Sequence, residues 1–160
     1  MSTTDSSSAA ASADRIEKNV TLKAGRSRVW QALTDSAQFG EWFRVKLEGP
    51  FVDGGSVTGN ITHPGYEHVR FTAQDVQLRP QDYFAYRWHP YGIDETIDYS
   101  EETPTLVEFL LADAPDGGTL LTVVESGLEH VPAYRRDEAF RMNSKGWAGQ
   151  MENIRRYLDG

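Results

Sequence analysis

The chain of 160 residues is 39% hydrophobic and 25% charged and has no cysteine, the composition of one globular domain with one sizeable core. Its formal charge of -8 argues against nucleic acid as a partner, because that binding is driven by Lys and Arg displacing counterions. The missing cysteines exclude disulfides and thiolate metal sites and fit a reducing cytoplasm, the expected location; no stretch approaches the roughly 20 apolar residues that span a bilayer, so no membrane insertion is expected.

The opening "MSTTDSSSAAASAD", residues 1–14, has no basic start and no apolar run. It reads as a disordered N-terminal tail rather than a signal peptide, which leaves residues 15–160 as a single domain. "RIEKNVTLKA" then puts Ile16, Val20 and Leu22 on one face at period two, the mark of a half-buried strand. In "GRSRVWQALTD", Ser27 is a candidate N-cap and Val29, Trp30 and Leu33 stand at helical spacing. "SAQFGEWF" predicts a second short helix with Phe39, Trp42 and Phe43 on its apolar side, broken or bent near Gly40.

Strands follow. "FVDGGSVTGNITH" has turn punctuation ahead of a strand, and "EHVRFTAQDVQLRPQDYFAYRWHP" reads as two strands joined across Arg79 to Asp82. In the second of these Phe84, Tyr86 and Trp88 alternate with Ala85, Arg87 and His89, so three large rings share one face. "TLVEFLLAD" and "TLLTVVESG" make a further pair around the hairpin signal "APDGG".

The period changes after Tyr134: Phe140, Trp147, Met151, Ile154 and Leu158 trace an apolar stripe on a helix of roughly 25 residues. From Pro132 onward there are six basic and four acidic residues, a mildly basic helix on an acidic body. Within it Gly146 and Gly149 flank Trp147 and Ala148; each costs about 1 kcal/mol against alanine. Close backbone approach, room for a ligand, or a kink would each account for them. Hairpin-length connections imply an antiparallel sheet, and only the last helix is long enough to cover its aromatic face. The fold class expected is α+β: a curved antiparallel sheet of about six to seven strands around a long C-terminal helix, with two short helices after the first strand. Where a curved sheet and a straight helix diverge, an apolar gap is expected.

"VWQALTD", "FGEW", "TLVEFLL", "GGTLLTVVESGL" and "GW" in the last helix, in this order, resemble the START-like (SRPBCC) superfamily. Within it they resemble homologues of the C-terminal domain of the heat-shock-protein-90 ATPase activator, over about residues 15 to 159. The resemblance implies a helix-grip fold enclosing a cavity for a hydrophobic small molecule. It implies three functions in order: binding of such a molecule, in stress response or in lipid or metabolite handling; a cyclase- or dehydratase-type reaction in the same cavity; and a co-chaperone role toward a chaperone ATPase. The full activator has a separate N-terminal domain with no counterpart in these 160 residues, which places the chaperone partner last.

The candidate ligand surface is the aromatic set Trp42, Phe43, Phe71, Phe84, Tyr86, Trp88, Phe109 and Trp147 with Met151, rings that would equally fill a core. Glu125, Arg87 and His89 are ionisable groups that a twist or bulge would turn inward as acid-base candidates; otherwise they face solvent, or Glu125 pairs with an arginine of the last helix. No residue is assigned as catalytic. His63, His68, His89 and His130 have no zinc spacing, and no phosphate loop or dinucleotide fingerprint is present, so neither metal nor cofactor is expected. The acidic segment 91–102, "YGIDETIDYSEE", departs from a bare hairpin and either shapes the cavity mouth or is simply solvated.

Overall fold

A computed structural model describes residues 15–160; the predicted disordered tail lies outside the described residues. The elements are β1 (Arg15–Leu22), α1 (Arg26–Thr34), α2 (Ser36–Phe43), β2 (Val45–Leu47), β3 (Val57–Ile61), β4 (Arg70–Arg79), β5 (Tyr83–Trp88), β6 (Thr105–Asp113), β7 (Thr119–Ser126) and α3 (Ala133–Asp159). The seven strands form one sheet in the order β1-β7-β6-β5-β4-β3-β2, antiparallel throughout. β2 to β7 run as a meander, and α1 and α2 carry the chain from one edge strand to the other. Among the described residues no helix is long and apolar enough to cross a membrane.

Local chemistry corrects two expectations. α1 is capped by Gly25 with no side-chain bond, not by Ser27. α2 is not broken at Gly40: Asp35 caps it by accepting from the Ala37 amide, and it runs unbroken to Arg44, which closes it in the left-handed region at φ 72. A Cβ on Gly40 would lie 2.4 Å from the Val45 carbonyl oxygen, so this glycine lets the helix end sit on the start of β2. β2 itself has no counterpart in the sequence reading. Three residues are too few to show a period, and the strand exists through its pairing of Val45 with Ile61 and Leu47 with Gly59.

The sheet bends in β4, where the register slips between Gln74 and Gln77 and Asp75 stands at φ 52. Such a bulge adds local twist. Gly54 donates to the Val76 carbonyl at 2.7 Å and Val76 donates to Gly55 at 3.0 Å, so the preceding loop completes the pairing the bulge disrupts. α3 spans 27 residues, about 40 Å at 1.5 Å per residue, and lays Ala139, Trp147, Met151 and Ile154 into the sheet. Beneath it Phe84, Tyr86 and Phe109 are fully buried, each contributing about 2 kcal/mol of apolar burial. The centre of the grip is filled.

Gly146 and Gly149 do not serve close approach: a Cβ at either would meet nothing within 4 Å. Of these two, Gly146 borders a cavity and Gly149 does not.

Candidate functional site

The apolar gap lies beside the middle of α3 rather than under its whole length. It is a cavity of about 620 Å³, within the range of small-molecule sites. One wall is sheet and α2: Phe43, Ile61, Phe71, Thr72 and Trp88. Another is Met142, Asn143 and Gly146 of α3. The outer wall comes from Tyr66, His68 and Val69 before β4 and from residues 89–99, with Tyr91, Ile93, Ile97 and Tyr99 supplying its apolar surface. A smaller cavity of about 90 Å³ continues along α3 past Trp147 to Gln150.

The outer wall is held by ionic and ring contacts. Arg135, 8% exposed, pairs with Glu102, 11% exposed, at 2.5 Å. Its Nη1 donates to the Pro90 carbonyl at 2.8 Å and its guanidinium lies 4.7 Å from the Tyr99 ring centroid. Those bonds brace a turn in which Tyr91 occupies φ 51, a costly conformation for a residue with a Cβ. Burial first, and the Glu138 charge second, raise the Tyr91 hydroxyl above the ordinary tyrosine range. The Asp94 carboxylate accepts from the Thr96 hydroxyl and amide, which lowers its pKa.

Behind the cavity stands Glu125, completely buried. No twist or bulge turns it inward: β7 pairs regularly with β6, and Leu121, Val123 and Glu125 follow each other on the concave face at period two. Both oxygens accept twice. Oε2 takes the Thr105 hydroxyl at 2.6 Å and the Trp88 indole N–H at 2.8 Å, while Oε1 takes the Asn143 amide and the Trp147 indole N–H, each at 2.9 Å. Asn143 and Trp147, four apart on α3, share one face and so share one oxygen. The four partners are uncharged, and none is the arginine considered from the sequence. Two indole N–H groups can only donate, so an acceptor-only carboxylate suits this cage.

Tyr86 lies in the same cross-strand row, paired through Val107 with Glu125. Its fully buried hydroxyl has no hydrogen-bond partner among the described residues. Burial first, and the Glu125 charge second, hold it well above the usual tyrosine range. A buried hydroxyl without a partner costs about 1–3 kcal/mol. Tyr86→Phe is therefore expected to raise stability by about 1 kcal/mol, seen as a higher urea midpoint with unchanged slope; a lower midpoint would show that the hydroxyl is satisfied.

Of the residues singled out from the sequence, Phe43, Phe71 and Trp88 stand on the main cavity wall and Trp147 on the smaller one. Trp42, Phe84, Tyr86, Phe109 and Met151 lie in the core cluster and border neither cavity. Trp42 spends its indole N–H on the Ala32 carbonyl at 2.8 Å. The acidic segment supplies wall residues that were not selected, although Tyr91, Ile93, Ile97 and Tyr99 interleaved with Asp94, Glu95 and Asp98 were a readable sign of a one-sided loop. His68 and His89 both border the cavity with Nε2 against a backbone carbonyl, of Ile93 at 3.2 Å and of Glu102 at 3.0 Å. Among the described residues no three His, Asp or Glu side chains come together as metal ligands would.

Residues 23–159 match the family model described as Activator of Hsp90 ATPase homolog 1-like protein. No curated protein matches the sequence. Among solved structures the chain is similar to DynU16, a protein of the dynemicin biosynthetic locus, with TM-score 0.70 and 23% identity over 91% of this chain and 47% of that one. It is also similar to MLL2253 from Mesorhizobium loti, with TM-score 0.69 and 20% identity over 91% of this chain and 96% of that one. A third is the Aha1 dimer from Colwellia psychrerythraea, with TM-score 0.65 and 17% identity over 90% and 95%. The chain thus spans less than half of DynU16, and at these identities the likeness is one of fold.

Proposed function

The chain belongs to the family of Activator of Hsp90 ATPase homolog 1-like proteins, and on that premise we propose that it binds an apolar, aromatic small molecule in the cavity beside the middle of α3. The observation that carries this reading is the cavity itself: about 620 Å³ bounded by Phe43, Phe71 and Trp88 and flanked by a wall that an internal ion pair holds in place. A partly open apolar cavity of that size beside a well-filled core leaves Phe43, Phe71 and Trp88 short of dispersion contacts on one side, contacts that an apolar occupant supplies.

The experiment is native mass spectrometry of the purified protein, followed by calorimetric titration with whatever co-purifies and with an apolar fluorophore. A protein that carries no molecule and binds none of a broad apolar and aromatic panel overturns the reading. Gly146→Leu sharpens it. An added side chain enters open space, and leucine restores about 0.8 kcal/mol of helix propensity. The variant is expected to be at least as stable as the parent yet bind about tenfold more weakly. Equal affinity would place the ligand elsewhere. Gly149, which borders neither cavity, is the control.

The cyclase or dehydratase reading draws no support from Glu125, whose four acceptor positions are all taken by protein donors. The family description suggests stimulation of a chaperone ATPase; an unchanged rate at saturating protein removes that function.

A further inference from the structure

The cavity lining holds hydroxyls that both donate and accept, of Tyr66, Thr72, Tyr91 and Tyr99, but at the α3 wall its polar group is an acceptor, and Glu125 makes it so. The Asn143 amide nitrogen donates to Glu125 Oε1 at 2.9 Å, which fixes the flip of the amide: its NH2 faces the carboxylate and its Oδ1 is turned away from it. Asn143 borders both cavities, and its Oδ1 has no protein donor among the described hydrogen bonds. Gly146, three residues on and on the same helix face, leaves open space beside it. His68 and His89 each spend Nε2 on a backbone carbonyl, of Ile93 and of Glu102, so neither offers that N–H to a ligand. Asp94 and Glu95 are carboxylates on the outer wall. The one lining cation, Arg70, is spent on Glu48, Asn60 and Thr58 at 2.7 to 3.2 Å.

The geometry points to a ligand of one chemical class: an aromatic body carrying an uncharged hydrogen-bond donor, a phenolic hydroxyl or aryl amine, that Asn143 Oδ1 accepts. Glu125 is the positioning residue that orients the amide. The aromatic body packs against Trp88, Phe43 and Phe71, and an anionic headgroup meets the Asp94 and Glu95 carboxylates, with the lining Arg70 already paired. This rests on the binding reading above and adds its selectivity.

The test is calorimetric titration with 2-naphthol, 2-methoxynaphthalene and 2-naphthoate on the full chain. The parent is expected to bind 2-naphthol about tenfold tighter than its methyl ether, and 2-naphthoate more weakly than either. Asn143→Leu should erase the preference for the naphthol while still binding the ether, and Asn143→Ala serves if leucine lowers helix content. Glu125→Gln, which brings an NH2 group among the donors, should also lose the preference and shift the Trp147 indole and Asn143 amide proton resonances. Equal loss of both neutral probes in Glu125→Gln would make that residue structural only and overturn the positioning role. A parent that binds naphthol and ether alike, a preference that survives both Asn143 variants, or tight binding of 2-naphthoate overturns the inference while binding itself stands. Failure of all three probes to bind overturns it together with the reading on which it rests.

Discussion

Glu125→Leu is expected to destabilise the protein by about 4 kcal/mol, the largest effect among the substitutions considered. Leucine fits the volume, so the loss is one of acceptors. Removing the carboxylate leaves the Trp88 and Trp147 indole N–H groups, the Asn143 amide and the Thr105 hydroxyl without their partner, and each such donor costs about 1–3 kcal/mol when kept from water. Thr105 can turn toward the Trp88 carbonyl, 3.4 Å away, and Asn143 can face the cavity; the indoles have no such freedom. The drop corresponds to roughly 10 °C in Tm for a domain of this size. Urea unfolding followed by circular dichroism measures it. A loss below about 1 kcal/mol would mean the cage behaves like those buried ion pairs that apolar residues replace at no cost.

Arg135→Met should cost about 3 kcal/mol, because it leaves the Glu102 carboxylate in a nearly closed site without its cation. It also frees the Pro90 carbonyl and uncovers the Tyr99 ring. The effect should be local as well as global. Amide hydrogen exchange is expected to accelerate across residues 90–102 well below the global unfolding free energy, while the β6 and β7 amides keep theirs. Arg135→Lys, which retains charge but not the fork that reaches Glu102 and Pro90 together, should recover about half of the loss. Uniform acceleration over the whole chain would show that the ion pair supports the fold rather than the wall.

The sheet and the long helix were legible because periodicity is local. Ile16 and Leu22 on β1, Phe84 and Tyr86 on β5 and Trp147, Met151 and Ile154 on α3 lie inward as their spacing requires. Glu125 was legible in part. It was singled out as a group that a twist or bulge would turn inward, although its alternation with Leu121 and Val123 already places it on the concave face, and its four partners come from β5, β6 and α3, between 18 and 37 residues away in the chain. β2 was not legible, since three residues carry no pattern of their own and depend on β3 to be a strand.

What the sequence determined by itself was the order of elements, the apolar face of each, and the aromatic wealth of the space between them; these follow from φ/ψ preferences and side-chain direction within a few residues. Tertiary structure alone decided which rings are core and which border space. That division depends on the distance between sheet and helix at each point, set by the bulge at Asp75, by the Gly40 contact that seats α2 on β2, and by the Arg135–Glu102 pair that draws residues 90–102 over the open end. Tyr86 and Trp88 are identical as pattern, two steps apart on one strand face, yet one is sealed in the core and the other borders the cavity. Volume between elements is a property of their mutual placement, and no periodicity within either element encodes it.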